Sequence, residues 1–427
     1  MSLPPTSTSR VAMIAGGEAY VQRIVDHMSD EEIRQGLHFF KRISEVSGRG
    51  ERRQASPLPG PRAAVIGTAQ QAGSPFMDSR ARSGVPKMNA NPVVAIAGAT
   101  GAVGVEMIRC IEERNFPAKE LKLLASARSA GKTMKFRGND IRVEELTEDS
   151  FKGVDIAFFS AGGGISRKFA GAVKAAGAVM IDNSSAFRMD PDVPLVIPEI
   201  NPEAAFDHKG IVANPNCSTI IAITPLWPIH KVNPVKRLVA ATYQAASGAG
   251  AAAMEELEQA TRAFLSGEPF EQKIIPHPYP FNVFSHNSNV DPETGYNEEE
   301  LKMVKETKKI FADPDIRVTA TCVRVPVLRA HSEALDFECE RPITPQEVRE
   351  ILSGAPGIKI VDDRAENYFP MPKDASGQDD ILVGRIRQDI SDPSGRSIAM
   401  FVAGDQLLKG AALNAVQIGE VLVRAAK

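Results

Sequence analysis

The chain has 427 residues, room for two or three domains of about 100–200 residues each. A net charge of −3 excludes a generally basic, nucleic-acid-coating surface. Four cysteines without any CxxC pairing (Cys110, Cys217, Cys322 and Cys339) exclude a disulfide scaffold and offer no structural zinc site. Hydrophobic residues make up 43% of the chain, enough for buried cores, yet no run of about 18 apolar residues is free of breakers. The nearest, Gly210 to Ile229, is interrupted by Asn214, Pro215, Asn216, Pro225 and Pro228, so no membrane span is predicted. A reduced, cytoplasmic compartment fits this composition.

Residues 1–88 carry twelve Lys/Arg and eight Asp/Glu, leaving the remainder of the chain at −7. Val21 to Val46 has helical periodicity, with Ser29 and Glu32 spaced as a capping box. Arg49 to Lys87 is rich in Pro, Gly, Ser, Ala and Arg and reads as a disordered linker. The acidic residues weigh against a transit peptide, and Met88, just before the first strong strand, is an alternative start.

From Val93 the pattern becomes strands alternating with helices. Val93–Ala97 is a continuous apolar run suited to a strand buried on both faces. A helix through Val105, Ile108 and Ile111 follows, then strands at Leu121–Ala125, Asp155–Ser160, Val179–Asp182 and Ile211–Ala213. These repeated βα units predict an α/β fold with an N-terminal doubly wound, Rossmann-type dinucleotide-binding domain over 89–216. From about Val235, strands at Arg237–Ala246, Arg317–Leu328 and Ala334–Glu340 are separated by longer stretches, which predicts an α+β domain with a mixed sheet over 217–403. Residues 404–427 end in an amphipathic helix, Leu408–Ala426, expected to return to the first domain.

The turn Gly98-Ala99-Thr100-Gly101-Ala102-Val103-Gly104 joins the first strand to the first helix. Its glycines let the backbone approach a pyrophosphate, and the helix start offers free N–H groups. After the second strand the segment Ser126-Ala127-Arg128-Ser129 holds no carboxylate for a ribose 2′-hydroxyl. Arg128 offers a fork for a 2′-phosphate, so NADP is preferred to NAD.

Cys217 follows a strand and the bend Asn214-Pro215-Asn216, and it opens an apolar helix. A thiol there meets the positive end of the helix dipole, which favours thiolate. The other three cysteines read as small buried hydrophobes. Of seven histidines, His331 leads as an acid/base, at the end of a predicted strand; His277 and His286 sit in Pro/Asn-rich loops.

These runs together resemble aspartate-semialdehyde dehydrogenase: GATGAVG (98–104), LASARSAGK (124–132), IPEIN (197–201), NPNCSTI (214–220), YQAASGAG (243–250), ATCVRVPVLRAHSE (320–333) and GDQLLKGAALNAVQIGE (404–420). They occur in that family's order from Val93 to the C-terminus. The resemblance implies NADPH-dependent reduction of L-aspartyl 4-phosphate through a thioester on Cys217, with His331 as acid/base and Gln244 orienting the intermediate. It implies Arg324 for the substrate α-carboxylate, Glu299 for the α-ammonium group, and Arg188 and Lys302 for the phosphate. Glu298 and Glu300 flank Glu299 and leave its register open, and the Glu/Lys run from Glu298 to Lys309 also has the pairing of a solvated helix face. For the cofactor it implies Thr100, Gly101, Ala102, Val103, Arg128, Ser129, Ser247, Gly248 and Gln406. No metal is implied, and the partners are a small substrate and a second copy in a homodimer.

Two other readings use the same layout. N-acetyl-glutamyl-phosphate reductase or a phosphorylating glyceraldehyde-type dehydrogenase shares the cysteine chemistry, although the first pairs Gly-Cys with a following Tyr rather than Asn216-Cys217-Ser218. A non-catalytic NADP sensor would have no use for Cys217, Gln244, Arg324 and His331 together.

Overall fold

The computed structural model of the chain describes residues 88–424. The expected helix at 21–46 and the linker at 49–87 lie outside the described residues, as do the last three positions.

The first sheet begins with β1 (Val93–Ala97), buried from Val94 onward as its unbroken apolar run requires. The glycine turn leads into α1 (Ala102–Glu113). β2 (Glu120–Ala125), β3 (Thr133–Phe136), β4 (Asn139–Glu145), β5 (Ile156–Phe159), α2 (Gly163–Ala175), β6 (Val179–Asp182) and β7 (Ile211–Ala213) follow. Their spatial order is β3-β4-β2-β1-β5-β6-β7, and only β3 runs antiparallel to its neighbour. The chain moves from β1 to β2 on one side and then to β5 on the other, so the turn after β1 sits at a topological switch point. The hairpin β3–β4 was not expected. Only Val143 of β4 is buried, so no apolar run announces it.

α3 (Cys217–Val232) then passes beneath a second sheet. It keeps Pro225 and Pro228 within its turns and is buried along most of its length. The interrupted apolar run of the sequence is thus β7 followed by a core helix. The second sheet is formed by β8 (Val235–Gln244), β9 (Phe284–Ser285), β10 (Arg317–Arg324), β11 (His331–Cys339), β12 (Ile358–Ile360), β13 (Ile381–Gln388) and β14 (Ser397–Gly404). Their order is β12-β13-β14-β11-β8-β10-β9, with parallel and antiparallel pairs mixed. Helices α4 (Ala251–Ser266), α5 (Glu298–Phe311), α6 (Pro345–Leu352) and α7 (Pro372–Ala375) lie in the connections.

Several strand ends shift by one or two residues from expectation, and larger differences fall around His331. β10 stops at Arg324 rather than Leu328, because Pro326 has no N–H for the ladder. His331 therefore opens β11 instead of ending the preceding strand, just after Ala330 turns the backbone through a left-handed φ of 72°. The C-terminal helix also divides. Leu408–Ala412 forms a π turn, and α8 (Leu413–Arg424) continues from it.

One buried cluster runs from Ala95, Phe159 and Ala213 of the first sheet through Ile220, Ile223 and Leu226 of α3 to Leu238, Leu335 and Met400 of the second. The opposite face of the first sheet is covered by α1 and α8, through Met107, Ile108, Leu413, Val416 and Ile418. α8 thus returns to the first sheet as expected. It comes close because Gly419 has no side chain: a β-carbon there would lie 3.0 Å from Phe158 and 3.2 Å from Phe116. Gly419→Leu is expected to destabilise the fold by about 3 kcal/mol through overpacking, measured by denaturant unfolding.

Candidate active site

Cys217 is the first residue of α3, and the Asn216 side chain caps that helix by accepting the Thr219 N–H at 3.1 Å. The sulfur opens on a cavity of about 320 Å³ between the two sheets. Val103, Arg188, Gln244, Ser247, Gly248, Glu299, Lys302, Arg324, His331 and Gln406 line the same cavity. Thr100, Gly101 and Ala102 stand beside Val103 on the glycine turn, outside that lining, and Arg128 and Ser129 are further off, past the end of β2.

Strand register explains how distant segments meet. Arg324 is paired with Gln244, Gln244 lies opposite His331 by extension of the neighbouring Ser332–Tyr243 pair, and His331 is paired with Gly404. These four buried positions form a row across β10, β8, β11 and β14 at the edge of the cavity. A second row beneath it holds Cys322, Thr242, Glu333 and Val402. Sequence spacing within one strand gives such residues a common face, but not their neighbours on the next.

α5 supplies the negative side. Of its three consecutive glutamates, Glu299 enters the cavity, where its carboxylate accepts hydrogen bonds from Asn216 Nδ2 at 2.8 Å, Gln244 Nε2 at 3.1 Å and Lys302 Nζ at 3.1 Å. Glu298 instead accepts from Asn289, and Glu300 closes a capping box with Asn297 and accepts the Cys322 N–H. Burial raises the Glu299 carboxyl, but Lys302, His286 and the two amide donors outweigh it and hold the group well below the usual carboxylate range. The solvated-face reading of this helix is corrected: Glu299, Glu300 and Glu306 are all buried. Glu306 was not anticipated. It accepts the Asn216 backbone N–H at 2.6 Å and Arg188 at 3.0 Å, and its seven-residue spacing from Glu299 on one helical face was the available signal.

Arg188 is also tied to the carbonyls of Asn214 and Asn183. Arg324 donates to Ala245 O, Asn287 Oδ1 and His286 Nε2, which brings the loop residue His286 into the site. Gln244 Nε2 donates to Ser218 Oγ and Glu299, leaving its buried Oε1 without a protein partner among the described residues. His331 Nδ1 accepts the Ala245 N–H at 3.0 Å, so the neutral ring carries its proton on Nε2, which is buried and likewise unpartnered. Burial, aided by Arg324, pushes His331 down to about 3. Gly248 packs over this pair: a β-carbon there would lie 2.9 Å from Arg324 and 3.1 Å from His331.

The expectation of a thiolate needs correction. Burial pushes the Cys217 thiol up to about 12, the Glu299 charge adds to this, and Arg188 and Arg324 oppose it without prevailing. The helix start is where the sequence put it, but burial there acts against ionisation. Cys110, Cys322 and Cys339 are buried free thiols, as expected.

The glycine turn fits a dinucleotide. Gly98 has a φ of 89°, and β-carbons at Gly98 and Gly104 would each fall 2.2 Å from a backbone oxygen. The Gly101 cap of α1 adds no side chain over the free N–H groups, and Arg128 is exposed beyond β2. Gln406 accepts the Ala330 N–H at 2.8 Å and donates to Ser247 Oγ.

The chain is similar to known proteins across both sheets. Residues 93–208 match the semialdehyde dehydrogenase NAD binding domain, and residues 226–409 match the semialdehyde dehydrogenase dimerisation domain. The aspartate-semialdehyde dehydrogenase of Synechocystis sp. is 57% identical over 330 residues, covering 77% of this chain and 97% of that protein. The chain belongs to the aspartate-semialdehyde dehydrogenase family. The family's enzyme from Bacillus subtilis is 45% identical, covering 77% of this chain and 96% of that protein. The crystal structure of aspartate semialdehyde dehydrogenase II complexed with ASA from Vibrio cholerae is similar at a TM-score of 0.76 and 46% identity, covering 78% of this chain and 98% of that one.

Glu333 adds a pH signature to the site. It is fully buried with neither carboxylate oxygen partnered among the described residues, and burial, reinforced by Glu299, lifts it well above its ordinary range. The folded chain keeps this proton, whereas the unfolded chain releases it above the ordinary value, so stability is lost as pH rises towards the folded pKa. Glu333→Gln keeps the shape and removes the titration. Its Tm advantage over the parent chain is expected to widen by a few degrees between about pH 5 and about pH 8, measured by calorimetry.

Proposed function

We propose that the chain catalyses the reversible NADPH-dependent reductive dephosphorylation of L-aspartyl 4-phosphate to L-aspartate 4-semialdehyde through a thioester on Cys217. This reaction serves the biosynthesis of lysine and diaminopimelate, threonine, methionine and isoleucine. The observation that carries the reading is one cavity holding a helix-start sulfur, a buried carboxylate, two buried arginines and the end of the dinucleotide turn. Residues 89–216 form the cofactor-binding part, 217–403 the catalytic and dimerisation part, and 404–427 the returning segment.

NADPH, held by Thr100 to Val103, Arg128, Ser129, Ser247, Gly248 and Gln406, supplies the hydride. Arg324 takes the substrate α-carboxylate through its fork and Glu299 the α-ammonium group. That ammonium neutralises the charge that most directly opposes ionisation of Cys217 after burial itself, so substrate entry promotes the thiolate. The sulfur attacks the acyl carbon, and phosphate leaves towards Arg188 and Lys302. His331 acts at Nε2, exchanging protons with the sulfur and the departing group, and Gln244 Oε1 orients the intermediate. After reduction, the carbon–sulfur bond breaks, freeing aldehyde and Cys217. An N-acetylated substrate brings no ammonium group for Glu299 to take, which favours the aspartyl compound over the acetyl-glutamyl one.

The protein works as a homodimer. Tyr243 and Phe401, 6.1 Å apart between ring centres, present a partly exposed aromatic surface on the second sheet, and the matched dimerisation domain includes both. A cytoplasmic location suits the biosynthetic role and the free cysteines. Among the described residues no helix is long and apolar enough to cross a membrane.

Cys217→Ala is expected to abolish phosphate-dependent NADP reduction with aspartate semialdehyde while leaving the NADPH Kd within about twofold, by fluorescence titration. Arg128→Ala is expected to lower the NADP-over-NAD ratio of kcat/KM by about tenfold or more, and an unchanged ratio would refute the 2′-phosphate contact.

A further inference from the structure

Two of the motifs that carry the family resemblance, IPEIN and GDQLLKGAALNAVQIGE, contribute only Gln406 to the chemistry above. The structure joins four of their other polar residues, Glu199, Lys409, Asn414 and Gln417. Lys409 is 1% exposed. Its ammonium donates to Glu199 Oε2 at 2.5 Å, Asn414 Oδ1 at 2.9 Å and Gln417 Oε1 at 2.8 Å, which uses all three of its N–H groups. Gln417 returns a bond to Glu199 at 3.2 Å. Asn414 donates onward to Val196 O and, at 2.7 Å, to Asn214 Oδ1. Asn214 begins the bend that ends at Cys217.

Lys409 lies in the π turn, where Gly410 N–H bonds back to Asp405 O and Ala412 N–H to Leu407 O. The other side of this turn rests on the nucleophile. A β-carbon at Gly410 would lie 2.9 Å from Cys217 Cβ and 3.3 Å from Cys217 Cα. The network therefore touches Cys217 from two directions, through Asn214 along the chain and through Gly410 across space. Gly410 lines the cavity beside Cys217, whereas Lys409 and Asn214 lie outside its lining.

We propose that Lys409 is a positioning residue for the reaction: with Glu199 and Asn414 it clamps the π turn and the Asn214–Asn216 bend together, so that Gly410 holds the Cys217 side chain in its attacking orientation. Its interior position and saturated donors suit a fixed anchor rather than a ligand-binding cation. The inference rests on the reading of Cys217 as the nucleophile.

The test uses the full chain, phosphate-dependent NADP reduction with aspartate semialdehyde, and alkylation of Cys217 by iodoacetamide followed by mass spectrometry. Lys409→Met is expected to lower kcat about 100-fold, with both substrate KM values within about threefold, and to change the alkylation rate of Cys217 by about threefold or more. Gly410→Ala leaves the ionic network intact and adds a methyl group against Cys217. It is expected to give the same fall in kcat and the same change in alkylation, with Tm within about 2 °C of the parent chain. A folded Lys409→Met chain with kcat within about twofold of the parent overturns the proposal. If that variant does not fold, Gly410→Ala decides alone, and unchanged kcat and alkylation overturn it. Cys217→Ala is assayed beside them: retained activity there rejects the nucleophile itself, a separate failure from that of the clamp.

Discussion

A helix that starts inside a protein must find partners for N–H groups that its own turns leave unpaired. α3 starts in this way, between two sheets, and its first residue is Cys217. The structure meets the requirement with Asn216 as cap and with two carboxylates from α5, Glu299 on the Asn216 side chain and Glu306 on its backbone N–H. Arg188 joins Glu306 to the carbonyl of Asn214, which begins the bend. The polar groups that surround the sulfur are thus the groups that let this helix begin in the core.

The same arrangement explains the electrostatics. Glu299 and Glu306 are both buried on one face of α5, yet burial and pairing act on them differently. Glu299 has an ammonium and two amide donors and stays ionised, while burial carries Glu306 upward despite Arg188. Glu333, one row below His331, has no such donors and keeps its proton. Of these three, Glu299 is the carboxyl held low, at the face of the cavity where an amino acid's ammonium group would meet it. On the proposed reading, the charge that would meet the substrate's ammonium group is one that otherwise discourages ionisation of the thiol.

Position along the chain carries little information about which residues meet. His331 and Gln244 stand opposite each other across two antiparallel strands, Arg324 joins them through a parallel pairing, and Glu299 arrives on a helix from between them. Glu199 and Lys409 are 210 positions apart and share a hydrogen bond. His286, in a loop rich in Pro and Asn, supplies an acceptor to Arg324 that no local pattern announced. Each of these depends on strand register or on the return of α8, which are properties of the assembled sheets.

The sequence by itself determined the doubly wound first sheet, the dinucleotide turn, the absence of a ribose carboxylate after β2, and Cys217 at a helix start. Those features are local: apolar runs, glycine spacing and caps act within a few residues. Only the tertiary structure decided that burial acts against ionisation of the Cys217 thiol, that Glu299 rather than its neighbours faces the cavity, and that His331 opens a strand instead of closing one. Charge, burial and register depend on atoms brought from distant segments, and no short window of sequence contains both partners.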